Sequence, residues 1–144
     1  MDTIKIAATD AEILQCLPVL RQLQEHLVDR TFVADFRRLE SSGYQLVYLM
    51  HDGAVQSVAG FRVGESFGWR RYLYVHDLVT DSQSRSQGHG AKLMAWLMNR
   101  AREHGCDSLH LDSRVTRYAS HRFYLKEGMI ISGHHFCVEI GKTA

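Results

Sequence analysis

Residues 84–93 read S-R-S-Q-G-H-G-A-K-L: an arginine, two glycines one position apart, then the start of an apolar-periodic run. The run continues through Leu93, Met94, Leu97, Met98 and Ala101, one face of a helix expected from about Gly88 to Glu103, with Gly105 as its stop. Ahead of it, Arg71 to Val79 (R-Y-L-Y-V-H-D-L-V) reads as a strand. A strand, a glycine turn and a helix leave the first helical N–H groups unpaired and the positive end of the helix dipole facing outward. That is a ready anion site. Gly88 and Gly90 let a phosphate approach closely, and Arg85 adds a fixed charge. A glycine-bearing connection without a ligand is the plain alternative.

Two well-known phosphate motifs do not fit. G-x-x-x-x-G-K-[ST] fails because Lys92 follows Gly90 by two and precedes Leu93. G-x-G-x-x-G fails at its third glycine, again Leu93, and the turn follows a late strand instead of opening the chain.

The other elements are read outward from this unit. Ile4 to Ala7 is a short strand, and T-D-A-E after it is a helix start capped by Thr9 or Asp10. Ile13, Leu14, Leu17, Leu20 and Leu23 follow helical spacing, so the helix must kink or begin near Pro18. A charged helix is expected from about Thr31 to Ser41, ended by Gly43. The period then becomes two: Gln45 to Met50 and Ala54 to Val63 form a hairpin across His51-Asp52-Gly53, and G-E-S-F-G is the next turn. After the glycine-led helix, Ser108 to Asp112 is a strand and Tyr118 to Glu127 a helix. Met129 to Ile140 forms one or two closing strands broken at Gly133. The order β-α-α-β-β-β-α-β-α-β(-β) predicts an α/β fold with a mixed sheet in one domain spanning 1–144.

Composition narrows the partners. Apolar residues make up 45% and the formal net charge is +1, an ordinary globular balance without the basic excess of a nucleic-acid binder. No apolar run reaches membrane-spanning length, and the N-terminus lacks a signal-peptide pattern. Cys16, Cys106 and Cys137 are odd in number and unpaired in spacing, which suits reduced thiols and a cytoplasmic setting. The nine histidines contain no i, i+4 pair, so no metal site is expected.

Arg85-Ser86-Gln87-Gly88-His89-Gly90, leading into Ala91, resembles the R/Q-x-x-G-x-G/A loop of the GNAT acetyltransferases. Asp77-Leu78-Val79-Thr80 resembles their fourth strand, and H-R-F-Y-L-K-E-G-M (His121 to Met129) their F-Y-x-x-x-G-F segment. The element order matches that family over almost the whole chain. Among small members, His121 to Gly128 is most similar to aminoalkylphosphonate N-acetyltransferases. The resemblance implies the GNAT fold and acetyl-CoA as acyl donor, its pyrophosphate wrapped by Arg85 to Ala91. Two positions depart from the family pattern: Arg117 stands where Asn is common, and Ser120 where Ala is common.

Acetyl transfer to an amine needs a deprotonated nucleophile, donors for the tetrahedral oxyanion and a proton for the leaving thiolate. By resemblance the oxyanion donors are backbone N–H groups of Leu78, Val79 and Thr80, and the acid is Tyr124. Asp77 and Asp112 are both candidate bases, each acting through a water; His76 and His110 are weaker ones. An acceptor pocket is implied near Glu25, His26, Asp29, Arg30, Arg37 and Arg38, whose arginines suit an acidic acceptor as readily as a solvated helix face. The expected activity is acetyl transfer to the primary amine of a small molecule, by direct attack on the thioester. Acetylation of a protein N-terminus or lysine is one alternative, and a non-catalytic CoA-binding sensor is another. Homodimers are common in the family, but nothing in the sequence identifies an interface.

Overall fold

The computed structural model describes residues 1–141. Its first compact unit is Met1–Leu111 and its second begins at Asp112. In the first unit, β1 (Asp2–Ile6) leads to a capping box. The Thr9 hydroxyl accepts from the Glu12 N–H at 3.1 Å, and the Glu12 carboxylate accepts from the Thr9 N–H at 3.0 Å. Pro18 resolves the expected kink by splitting the helical run at Cys16 into α1 (Asp10–Gln15) and α2 (Leu17–Leu23). Proline sits in the first turn of α2, where its missing N–H costs nothing. Helix α3 (Asp29–Glu40) buries Phe32 and Phe36 one turn apart, and the chain leaves it through Gly43 at φ +97°.

Strands β2 (Gln45–His51) and β3 (Ala54–Ser66) are joined by Asp52-Gly53, whose φ values of +50° and +79° both fall in the left-handed region of a type I′ turn. Strand β3 runs three residues beyond its expected end, so the next turn occupies 67–69 before β4 (Arg70–Thr80). A 3-10 turn (Ser82–Ser84), α4 (His89–Glu103) and β5 (Ser108–Leu111) complete the unit. The sheet order is β1-β2-β3-β4-β5, antiparallel except for the parallel β4–β5 pair made by the α4 crossover.

Two cores lie on opposite sheet faces. Helices α1–α3 cover one, centred on Ile13, Leu17, Phe32, Phe36, Leu46 and Val58. Helix α4 covers the other, where Phe61, Leu73, Val75, Leu93 and Leu97 meet. Between Gly60 and Phe61 the β3 register jumps from Asp77 to Val75, leaving His76 as the extra residue of a bulge in β4. The bulge reverses which side chains face which core. Val75 packs on the α4 side and Val79 on the α1–α3 side, although four residues apart on a regular strand would share a face. Asp77 is thereby turned toward α2.

In the second unit, α5 (Tyr118–Lys126) ends in a Schellman motif. The Met129 N–H bonds the Tyr124 carbonyl at 3.1 Å, the Gly128 N–H bonds that of Leu125 at 3.1 Å, and Gly128 has φ +90°. The closing strands expected over Met129 to Ile140 are not formed: residues 129–141 carry neither helix nor strand. Phe136, Val138 and Ile140 alternate as a strand would, but they stand 80–91% exposed. Alternation describes a strand's faces, whereas a strand exists only through pairing with a neighbouring edge.

Candidate active site

In the glycine turn, Ser86 and Gly88 both adopt left-handed φ, +69° and +82°, and Gly88 is the N-cap of α4. Gly88 has no side chain to cap that terminus, and no side-chain cap bond to it is made among the described residues. Arg85, Ser86 and Gln87 are exposed beside it, and Ala91 lies in the first turn. Only the backbone of His89 belongs to the turn. Its ring is 3% exposed, lies against His51 at 5.2 Å between centroids, and has no partner for either nitrogen among the described residues. On the other side, Gln22 ties α2 to the end of β4: its amide donates to Asp81 Oδ1 at 3.1 Å, and its carbonyl accepts from the Ser82 N–H at 2.9 Å.

Strand β4 carries the second feature. Its pairing with β5 covers Tyr72–Val75, and among the described residues Asp77 to Thr80 pair with β3 alone. The Asp81 N–H donates to the Gln56 carbonyl at 2.7 Å, and the Val79 carbonyl accepts from the Ser57 hydroxyl at 3.1 Å; both point toward β3. Strand alternation then directs the N–H groups of Leu78 and Thr80 to the opposite edge, where β5 has ended. Of the three residues expected as oxyanion donors, Leu78 and Thr80 direct their N–H groups to that edge, and Val79 directs its own toward β3.

Asp77 lies at the sheet end of a cavity of about 210 Å3 within the first unit, bounded by Leu20, Leu27, Phe32, Phe36 and Leu39 among others. Its Oδ1 accepts from the Gln24 amide at 2.8 Å and its Oδ2 from the Tyr44 hydroxyl at 2.7 Å. A carboxylate offers about four acceptor sites, so both oxygens keep capacity for a further donor. Burial and the Asp77 carboxylate both push the Tyr44 phenol well above its ordinary pKa, so it stays protonated and holds Asp77 in place. Tyr44 passes directly over Gly60: a Cβ there would lie 1.7 Å from the Tyr44 hydroxyl oxygen.

The second unit holds Tyr124 and Asp112. Tyr124 is half-buried on α5, and burial raises its phenol while Arg117, one helical repeat before it, acts in the opposite sense. Asp112 is exposed, with His135 Nδ1 at 3.2 Å. His110 is stacked under Trp69 at 3.7 Å between centroids and bonds the Ser108 hydroxyl; the His76 ring bonds Arg62. Three of the six residues of the anticipated pocket are ion-paired, each with a residue outside that set. Arg37 holds Asp10 and Glu40, Arg38 holds Asp35 and Arg21 holds Asp29. Glu25 and Arg30 are exposed, and only His26 of the six residues named from sequence lines the cavity.

Sequence reasoning missed Tyr44, Gln24 and Gly60. Gly60 left one sign, a glycine within an apolar strand, which marks a bulge or a close approach. Gln24 left none, because the bond it makes spans 53 residues.

Comparison with known proteins agrees with this geometry. The model of the acetyltransferase (GNAT) family matches residues 11–129. The uncharacterized N-acetyltransferase YhdJ of Bacillus subtilis is 28% identical over 138 residues, 92% of this chain and 95% of that one. The aminoalkylphosphonate N-acetyltransferase of Salmonella typhimurium is 37% identical over 54 residues, 38% of this chain and 35% of that one. The structure of AAC(6')-Iy with a CoA bisubstrate analogue superposes with a TM-score of 0.84 at 14% identity, covering 99% of each chain. The chain belongs to the acetyltransferase (GNAT) family and is an acetyl-CoA-dependent N-acetyltransferase.

Proposed function

We propose that the acceptor is the primary amine of a small molecule, acetylated by direct attack on acetyl-CoA in a cytoplasmic setting, and that 1–144 acts as one functional domain. The observation that carries the reading is the cavity against β4, with Asp77 at its inner end beside the freed Leu78 and Thr80 amides. A cavity of about 210 Å3 suits a small molecule better than a polypeptide segment. That the family model runs across both units supports a single functional domain.

In this reading the pyrophosphate of acetyl-CoA rests on the α4 N-terminus, with Arg85 as counter-charge. The amine nitrogen attacks the thioester carbon, and the carbonyl electrons move to oxygen, where the Leu78 and Thr80 amides receive the charge. Fixed amides of this kind contribute about 3–4 kcal/mol to such a step. Asp77 takes the amine proton through a water, and collapse of the intermediate expels the CoA thiolate. Tyr124 gives that sulfur its proton, a role that its raised pKa suits by keeping the phenol protonated. Asp112 is the second candidate base, and its carboxylate lies 3.2 Å from His135 Nδ1.

The test has two parts. Acetyl-CoA at about 100 times its dissociation constant should stabilise the protein by roughly 2.7 kcal/mol, while NAD and ATP do not. Release of free CoA should then depend on an added small amine. Binding without release for any amine, peptide amines included, would leave a sensor; release only with peptides would leave a protein acetyltransferase.

A further inference from the structure

The same cavity also bears on the chemistry of the acceptor, in an inference that rests on the acetyl-transfer reading above. Its walls at Leu27, Phe32, Phe36 and Leu39 are apolar, and its ionisable groups include the carboxylates of Asp35 and Asp77. No lysine or arginine lines it; among the described residues only His26 on its lining can take a positive charge, and His26 is exposed. Of the arginines of α3, Arg30 is exposed and off the cavity's lining, and Arg37 and Arg38 are paired. Arg37 donates to Asp10 at 2.8 Å and to Glu40 at 3.0 Å, and Arg38 neutralises Asp35 at 3.0 Å. A phosphonate or carboxylate entering here would lose its hydration against hydrocarbon, face Asp77, and meet no guanidinium or ammonium on the cavity's lining.

A cationic amine meets the opposite conditions. Its ammonium is drawn to Asp77, whose oxygens retain acceptor capacity, and its carbon skeleton replaces water along the wall. An apolar cavity of about 150 Å3 takes up a benzene ring. At about 210 Å3 this one has room for a ring or short branched chain with the tether that carries nitrogen. We propose that the acceptor is a primary amine with a compact apolar body and no acidic group, selected by the carboxylate-tipped apolar cavity between α2, α3 and β4.

The experiment measures CoA release by the full-length protein with acetyl-CoA and a matched panel of amines. The panel comprises the n-alkylamines from propyl to hexyl, phenethylamine, β-alanine and 2-aminoethylphosphonate. The expected kcat/KM rises about fourfold for each methylene until the cavity is filled. Phenethylamine should exceed 2-aminoethylphosphonate by at least about 100-fold, the scale on which a pocket discriminates between unlike groups. If the phosphonate is used as well as phenethylamine, the proposed acceptor class is wrong while acetyl transfer to small amines stands. If no amine releases CoA although acetyl-CoA still raises Tm, the small-molecule reading fails and this inference fails with it. Leu39→Arg places a cation at the cavity's edge, at a position 40% exposed where folding tolerates it. It should move the phosphonate-to-phenethylamine ratio at least about tenfold toward the phosphonate. An unmoved ratio would mean that the acceptor binds elsewhere, which overturns the proposal.

Discussion

Gly60→Ala should be among the most damaging single-methyl insertions in this protein. A Cβ at position 60 would lie 1.7 Å from the Tyr44 hydroxyl oxygen and 2.4 Å from Cζ, far inside van der Waals contact. The ring lines the cavity on one side but is held by its other contacts. Tyr44 is 5% exposed, edge-on to Phe36 at 6.1 Å between centroids, with the Arg62 guanidinium 5.2 Å from its own. Overfilling a packed core costs about 1–3 kcal/mol. Displacing the hydroxyl also breaks its 2.7 Å bond to Asp77, a charged acceptor, worth about another 1.5–3 kcal/mol. The expected loss is about 3–5 kcal/mol, or roughly 10–15 °C in Tm for a domain of this size. Chemical denaturation of Gly60→Ala, Tyr44→Ala and the double variant isolates the clash. Alanine at 60 should cost less than about 1 kcal/mol once the ring is gone, because Gly60 has no left-handed φ to preserve. A single variant within about 0.5 kcal/mol of wild type would refute the argument that Gly60 is there to admit Tyr44.

Other consequences are equally measurable. Tyr124→Phe should lower kcat by at least about 100-fold, the usual scale for a lost general acid, with acetyl-CoA affinity nearly unchanged in a calorimetric titration. Asp77→Asn should lower kcat/KM for the amine far more than Asp112→Asn does; full activity in the double variant would remove both carboxylates as bases. Gly88→Val forces a β-branched residue into φ +82° and should cost about 1–2 kcal/mol of stability while weakening acetyl-CoA binding disproportionately. Glu12 is lowered from 4.5 to about 2 by hydrogen bonds from the Thr9 and Ala8 amides and from Lys5 and Tyr48. Its folded value lies below its unfolded one, so its stabilisation is complete above about pH 4.5 and is lost as the pH falls toward 2. Denaturation midpoints across that window should flatten in Glu12→Gln.

Much of the fold was legible because local chemistry and tertiary structure agree. Thr9 and Glu12 spell a capping box, Asp52-Gly53 spells a type I′ turn, and Gly43, Gly105 and Gly128 take left-handed φ at helix ends. Pro18 placed a helix start near itself without revealing that two helices would result. The His76 bulge was illegible, because R-Y-L-Y-V-H-D-L-V alternates as well with the extra residue as without it. Its effect on the site is large, since it turns Asp77 toward Tyr44 and Gln24. Arg37 and Arg38 were visible as residues, but their pairing with Asp10, Glu40 and Asp35 was not, so the sequence left an acidic acceptor open. The segment after Gly128 misled in the opposite direction, because its alternation is real and its pairing is not.

The most direct test of the two-part donor site is the backbone amide NMR spectrum of the full-length protein titrated with acetyl-CoA. The largest shifts are predicted at Gln87 to Lys92, where the pyrophosphate meets the α4 terminus, and at Leu78 and Thr80, where the thioester carbonyl reaches β4. Shifts at those amides would locate both the donor and the oxyanion site. Saturable binding that leaves them unmoved would contradict this assignment, because acetyl-CoA would then occupy a site other than the one formed by the glycine turn and the freed strand.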